Sequence, residues 1–222
     1  MTLLRYLQED GAGSYANYCV SDLVPSIDAE LDLLFVLESP HIDELRTGIP
    51  LSGDAGQAAL RVLMPLGAPP EALGPFIANC HAAGDFRVGV MNISRVPLQL
   101  AAYRRHPSRH VVAGLEWDLL EQVRTDAKDH VDDITDKQVQ SASRLLLPNF
   151  QFRLSRIRFS SRAAVVPAGK FAQRHWNSLA TRPQVTALPV PHPSNGWWTR
   201  ATAKQDLDNL AELKRLFELS VS

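Results

Sequence analysis

Apolar and polar positions along the chain follow two different periods. Residues 31–37 (LDLLFVL), 86–92 (FRVGVMN), 163–167 (AAVVP) and 185–190 (VTALPV) are short apolar runs without helical spacing. Runs of this length, rich in Val, Leu and Phe, read as strands buried on both faces of a parallel sheet. Between them the spacing lengthens. Ala59, Val62, Leu63 and Leu66 recur at helical intervals and predict a helix over 55–66, ending near Gly67. Residues 70–83 predict another, with Pro70 at its start and Gly84 after its end. Ser108 can cap a long helix over 108–128, in which Val111, Val112, Leu115, Leu119 and Val123 recur. Helices are also expected over 2–8, 137–147, 171–180 and 201–219, with Pro148 placed to stop the second of these. Residues 10–26 read as loop, and Asp132, Asp133 and Asp136 mark a turn. Strand and helix alternate, with no repeat and no linker. The expected architecture is therefore α/β: a three-layer αβα fold around a central four-stranded parallel sheet, in a single domain over 1–222.

Composition narrows the class. A chain of 222 residues with 45% hydrophobic and 21% charged residues can bury a full core. No apolar run approaches the roughly 18 residues of a membrane span. The N-terminal MTLLRYLQEDG carries no export pattern, so a cytoplasmic location is expected. Cys19 and Cys80 are too few for a disulfide scaffold or a four-thiolate centre, and read as reduced, buried thiols. The net charge of −1 does not announce a nucleic-acid binder. Two local basic clusters, Arg104, Arg105, His106, Arg109 and His110, and Arg153, Arg156, Arg158 and Arg162, read on their own as solvated helix faces.

Candidate chemistry collects where predicted strands end. Ligands of open α/β sheets bind outside the carboxyl ends of the strands. Glu38, Ser39 and His41 follow the first strand, Asn92, Ser94 and Arg95 the second, and His192, Ser194 and Asn195 the fourth. Each has a structural alternative. Glu38 can bond loop amides, Asn92 can pin a turn, and His192 sits between two prolines. An acid, an amide and an imidazole, all at strand exits, together point to a reaction site.

Residues 37–56 (LESPHIDELRTGIPLSGDAG) resemble, without gaps, the first motif of the uracil-DNA glycosylase superfamily. The pattern is most similar to that of its iron–sulfur branch, G-E-x-P-G-x-x-E followed by G-x-P-F-x-G-x-A-G. Glu38, Pro40, Glu44, Gly48, Pro50, Gly53, Ala55 and Gly56 match. Residues 165–176 (VVPAGKFAQRHW) resemble that family's strand-Gly-helix segment, and His192-Pro193-Ser194 its H-P-S motif.

The resemblance implies an enzyme that flips a deaminated base out of DNA and cleaves its N-glycosidic bond. In that reading Glu38 faces the cationic sugar and positions a water. His192 stabilises the anion developing on the base. Asn92, able both to donate and to accept, reads the base edge. Ser39, His41 and Leu51 complete the base pocket. The loop carrying Ser194, Asn195, Gly196, Trp197 and Trp198 enters the duplex as a wedge, while Lys170, Arg174 and Arg200 hold phosphates. The partner implied is damaged DNA, the protein a monomer, with no metal and no cofactor, since the cluster cysteines are absent. Departures bear on rate and range. Leu37 and His41 replace glycines, Ser39 replaces alanine, and Leu51 replaces the phenylalanine that stacks on the base, a contact worth roughly 1–3 kcal/mol. They leave room for a second reading, a nucleic-acid-binding or regulatory module that kept the fold and lost the chemistry. An unrelated α/β hydrolase has no support, because no G-x-S-x-G nucleophile turn occurs.

Overall fold

A computed structural model of the protein describes residues 3, 6, 7, 18–25, 29–104 and 115–221. The fully apolar run around Phe35 becomes the central strand. β1 (Glu30–Leu37) pairs in parallel with β2 (Val88–Asn92) on one side and β3 (Arg158–Pro167) on the other. β4 (Thr186–Ala187) adds in parallel to β3, giving a four-stranded sheet of order β2-β1-β3-β4. The helices are α1 (Ile42–Thr47), α2 (Asp54–Leu63), α3 (Leu73–Ala82), α4 (Leu100–Arg104), α5 (Trp117–Thr125), α6 (Lys137–Leu154), α7 (Lys170–Asn177) and α8 (Lys204–Val221).

The period-two alternation of strands splits the core into two layers. Leu34, Val36 and Val165 pack with Leu120 and Val123 of α5, Leu146 and Phe150 of α6, and Phe171 and Trp176 of α7. Leu33, Phe35 and Val166 pack on the opposite face with Leu60 and Leu63 of α2, Leu73 and Ile77 of α3, and Leu213 and Phe217 of α8. The protein is thus a three-layer αβα fold. Among the described residues no helix is long and apolar enough to cross a membrane. The connection leaving β1 runs to β2 on one side, and that leaving β3 runs to β4 on the other. A crevice therefore opens at the carboxyl ends of β1 and β3.

Several elements differ from the sequence expectation. α6 does not stop at Pro148 but continues to Leu154. Pro148 removes one helical hydrogen bond, a cost of about 3 kcal/mol. Leu146, Phe150 and Leu154 bury a continuous stripe across it, and Arg153 gains a buried ion pair to Asp22. β3 starts at Arg158 rather than Ala163, because its irregular first half supplies Ser160 and Arg162 to the Asp32 carboxylate. β4 is only two residues long: Leu188 and Val190 still donate to the Val165 and Pro167 carbonyls, but Pro167 has no N–H to return a bond, and a bridge pairs Val190 with Ala168 just beyond β3. α1 and α4 were not expected. The expected helix over 108–128 is described only as Trp117–Thr125, and residues 2, 4, 5, 8, 105–110 and 111–114 of the expected elements lie outside the described residues, as does the basic cluster at 105–110. Cys19 and Cys80 are half-buried rather than buried.

Candidate functional site

Backbone hydrogen bonds tie the strand exits together before any side chain matters. Ile93 and Ser94 donate to the carbonyls of Leu37 and Glu38, and Ala168 donates to Val36. Gly169 donates to Val190 at 2.9 Å and sits at φ +90°, a left-handed conformation suited to glycine. A Cβ at Gly169 would lie 3.0 Å from the His192 Cβ, so this glycine lets the His192 loop close onto the end of β3.

The result is a cleft of about 590 Å³ at the carboxyl end of the sheet. Its lining includes Glu38, Ser39, His41, Leu51, Asn92, His192, Ser194 and Asn195 from the sequence-derived set, joined by Glu44, Gln99 and Arg124. The acid, the amide and the imidazole therefore share one cavity. Asn92 is 2% exposed, and among the described residues neither its Oδ1 nor its Nδ2 has a hydrogen-bond partner. Its backbone is anything but loose: Arg153, paired with Asp22 at 2.7 Å, donates to the carbonyls of Asn92 and Ile93. A buried amide left unpaired costs about 1–3 kcal/mol.

His192 has a defined tautomer. The Ser194 backbone N–H donates to its Nδ1 at 3.2 Å, which makes Nδ1 the acceptor and leaves the proton on Nε2. Burial, aided by the charge of Arg124, lowers the imidazole to about 4, so it is neutral at physiological pH. Glu38 accepts from Arg124 Nε and, at 3.3 Å, from Ser39 Oγ, both through Oε1. Its Oε2 has no donor among the described residues. Burial raises the Glu38 carboxyl above its ordinary value, against the pull of Arg124.

The floor of the cleft depends on Glu44, which the sequence showed only as a motif match. Its two oxygens accept the backbone N–H groups of His41, at 2.6 Å, and of Leu51. Burial raises its carboxyl to about 7, in spite of both hydrogen bonds. Leu51 has φ +58°, unusual for a side-chain-bearing residue. Gly74 N–H caps its carbonyl, and a Cβ at Gly56 would come within 1.9 Å of that oxygen. The glycine-rich loop thus holds Leu51 in one place by its backbone, with its side chain buried against the cleft.

Two of the expected DNA contacts are corrected. Arg174 is 0% exposed and cannot meet a phosphate; it donates to the carbonyls of Val123 and Asp126 and so caps the end of α5. Its place on the inner face of α7, beside Phe171, put it there. Trp198 is 5% exposed, and its Nε1 donates to the Pro191 carbonyl at 2.7 Å, so it anchors the loop rather than entering a duplex. Trp197 is 51% exposed with the Arg200 guanidinium 5.0 Å over its ring, and Arg200 also donates to the Asn195 carbonyl. Asn195 and Gly196 turn the loop outward with positive φ. Lys170 opens α7 and makes an exposed ion pair with Asp129. Ser94 does not line the cleft; its hydroxyl donates to the Val96 carbonyl. The Arg153, Arg156, Arg158 and Arg162 cluster is not one patch: Arg153 is buried behind Asn92, Arg156 lies over Phe152, and Arg158 and Arg162 pair with Glu30 and Asp32.

Arg124 was missed because its cleft-facing position is set by how α5 docks, which periodicity alone does not give. Among the described residues, no group of three or more His, Cys, Asp or Glu could hold a metal ion. No protein-family model and no curated protein matches the chain.

Proposed function

We propose that this protein is a DNA glycosylase of the uracil-DNA glycosylase type, acting as a monomer on a deaminated base flipped out of DNA. The observation that carries the reading is that three residues lining one cleft hold polar atoms with no partner among the described residues: both amide atoms of Asn92, Nε2–H of His192 and Oε2 of Glu38. A pyrimidine edge offers a donor beside an acceptor, the complement of a fixed amide. As the glycosidic bond breaks, negative charge builds on the base oxygen. A neutral Nε2–H donor held at that point stabilises it without surrendering a proton. Positive charge builds on the sugar, where the Glu38 carboxylate offsets it and orients water. Leu51 packs against the ring face, and Trp197 with Arg200 fills the space the base leaves.

The test is base release from oligonucleotides carrying uracil, hypoxanthine or xanthine, single- and double-stranded, read by alkali cleavage. Release from at least one is expected, and no release by folded protein from any of them overturns the reading. One observation favours the alternative of a binding module: Glu38 is already engaged by Arg124. Tight binding in a gel shift without cleavage, unchanged by His192→Ala, would establish that alternative.

A further inference from the structure

Among the described residues, Arg124 is the one lysine or arginine lining the cleft. It enters from α5, a helix none of whose other residues line that cavity, and its place there is engineered by the fold. Arg174, wholly buried, donates to the carbonyls of Val123 and Asp126 on either side of it and so fixes the last turn of α5. From that turn Arg124 donates through Nε to Glu38 and, at 2.7 Å, through Nη1 to Glu121.

We propose that Arg124 is the positioning residue of this site, a single cation that orients the Glu38 carboxylate through its bond to Oε1 and whose charge also reaches His192. This inference rests on the glycosylase reading for its purpose but not for its test. The two groups need opposite things from their surroundings. Burial favours the neutral form of each, so it works against the Glu38 anion and for the neutral imidazole. One positive charge opposes the first tendency and adds to the second, which separates the acid's role from the imidazole's. The pairing is also directional. Arg124 takes Oε1 and leaves Oε2 for sugar or water, so the orientation of the carboxylate is set together with its charge.

Other charged groups act on the same pair. Glu121, on α5, draws on Arg124 and disfavours the Glu38 anion. Glu44, on α1, and Glu38 disfavour each other's ionisation, while Arg174, on α7, adds positive charge from behind. Asp43 and Asp54 line the outer cleft. Arg124 is the only one of these that touches Glu38.

The test is a titration of the Glu38 carboxyl and the His192 ring by NMR in wild type, Arg124→Gln, Arg124→Lys and Glu38→Gln. In Arg124→Gln both midpoints rise, Glu38 by about one unit and His192 by at least about half a unit. In Arg124→Lys both stay nearer the wild-type values. In Glu38→Gln, which keeps an acceptor for Arg124, the His192 midpoint falls below its wild-type value. Midpoints unmoved in folded Arg124→Gln overturn the proposal. Should that variant fail to fold, an unmoved His192 midpoint in Glu38→Gln overturns it instead. These readouts need no activity, so failure of base release would sink the glycosylase reading and leave this one standing or falling separately. Where release is observed, the acid limb of kcat moves to higher pH in Arg124→Gln by about one unit, a tenfold loss on that limb, with KM for the uracil oligonucleotide little changed. A raised KM with an unshifted profile would make Arg124 a phosphate contact and also overturn the proposal.

Discussion

Asp32 and Glu38 mark the two ends of the same strand, and the fold treats them in opposite ways. Burial raises both carboxyls. At Asp32 the hydrogen bonds from Arg162 and Ser160, with the charge of Arg87, outweigh it and hold the carboxyl below its ordinary value. Both of its oxygens are occupied, one by each donor. At Glu38 the donors crowd onto Oε1, burial wins, and the carboxyl lies above its ordinary value. The contrast extends to their neighbours. Glu30 and Arg158 at the amino end are paired, whereas the Asn92 side chain at the carboxyl end is buried without a partner among the described residues. A polar group given all its partners within the chain supports the fold. One denied them lowers the stability of the fold and marks a place to look for a ligand.

The comparison is broken most sharply by activity. Glu38→Gln and Asn92→Ala are expected to slow base release by about 10²–10³, the usual loss for one transition-state contact, whereas Asp32→Asn leaves the rate within about threefold. Single-turnover assays on a uracil oligonucleotide measure this. Equal losses at both ends would erase the distinction.

Stability against pH gives the next largest effect. His192 is lowered from 6.5 to about 4. Its contribution is therefore complete above pH 6.5 and is lost as pH falls toward 4, a range worth about 3 kcal/mol. Glu44, raised to about 7, works in the opposite sense, losing stability as pH rises from 4.5 to 7. The effect is thus read as the difference between wild type and His192→Gln in denaturant titrations, in which Glu44 cancels. For Asp32 the lowered carboxyl gives stability that is present above its ordinary value of 3.8 and lost only below it. The matching difference between wild type and Asp32→Asn should be flat above pH 5.

Gly169→Ala tests how the carboxyl end is assembled. The glycine-only backbone conformation alone costs an alanine about 1–3 kcal/mol, and the new methyl presses on the His192 Cβ. A lower Tm together with a loss of activity is expected, and the same Tm loss with full activity would show that His192 does not need this close approach. The smallest change in stability is expected from Asn92→Leu. Replacing an unpaired buried amide with an apolar group of similar size should leave Tm unchanged or raise it by up to a few degrees, about 1 kcal/mol, while activity is lost. A clear drop in Tm would mean that Asn92 supports the fold.

Much of the sheet was legible because a doubly buried strand has to be a continuous apolar run, and the runs at 31–37, 86–92 and 163–167 are found at β1, β2 and the buried half of β3. The elements misjudged were those where packing overruled a local rule. α6 passes through Pro148 because Phe150, Leu154 and Arg153 all have partners beyond it. Trp198 and Arg174 read as surface groups because a polar tip, in sequence, does not reveal whether a backbone carbonyl waits for it inside.

By itself the sequence put Glu38, Asn92 and His192 just beyond strands of one parallel sheet. Parallel strands deliver their carboxyl ends to one edge, so residues that follow those strands can meet whatever the distance between them along the chain. Only the tertiary structure decided what those residues are once there. The hydrogen bond that holds Glu38 comes from Arg124, the neutrality of His192 comes first from its burial, and the hold on Leu51 depends on Glu44 and two close glycines. Hydrogen-bond partners, burial and the reach of a charge are properties of distances in space, and those exist only after helices that are remote in sequence have docked on the sheet.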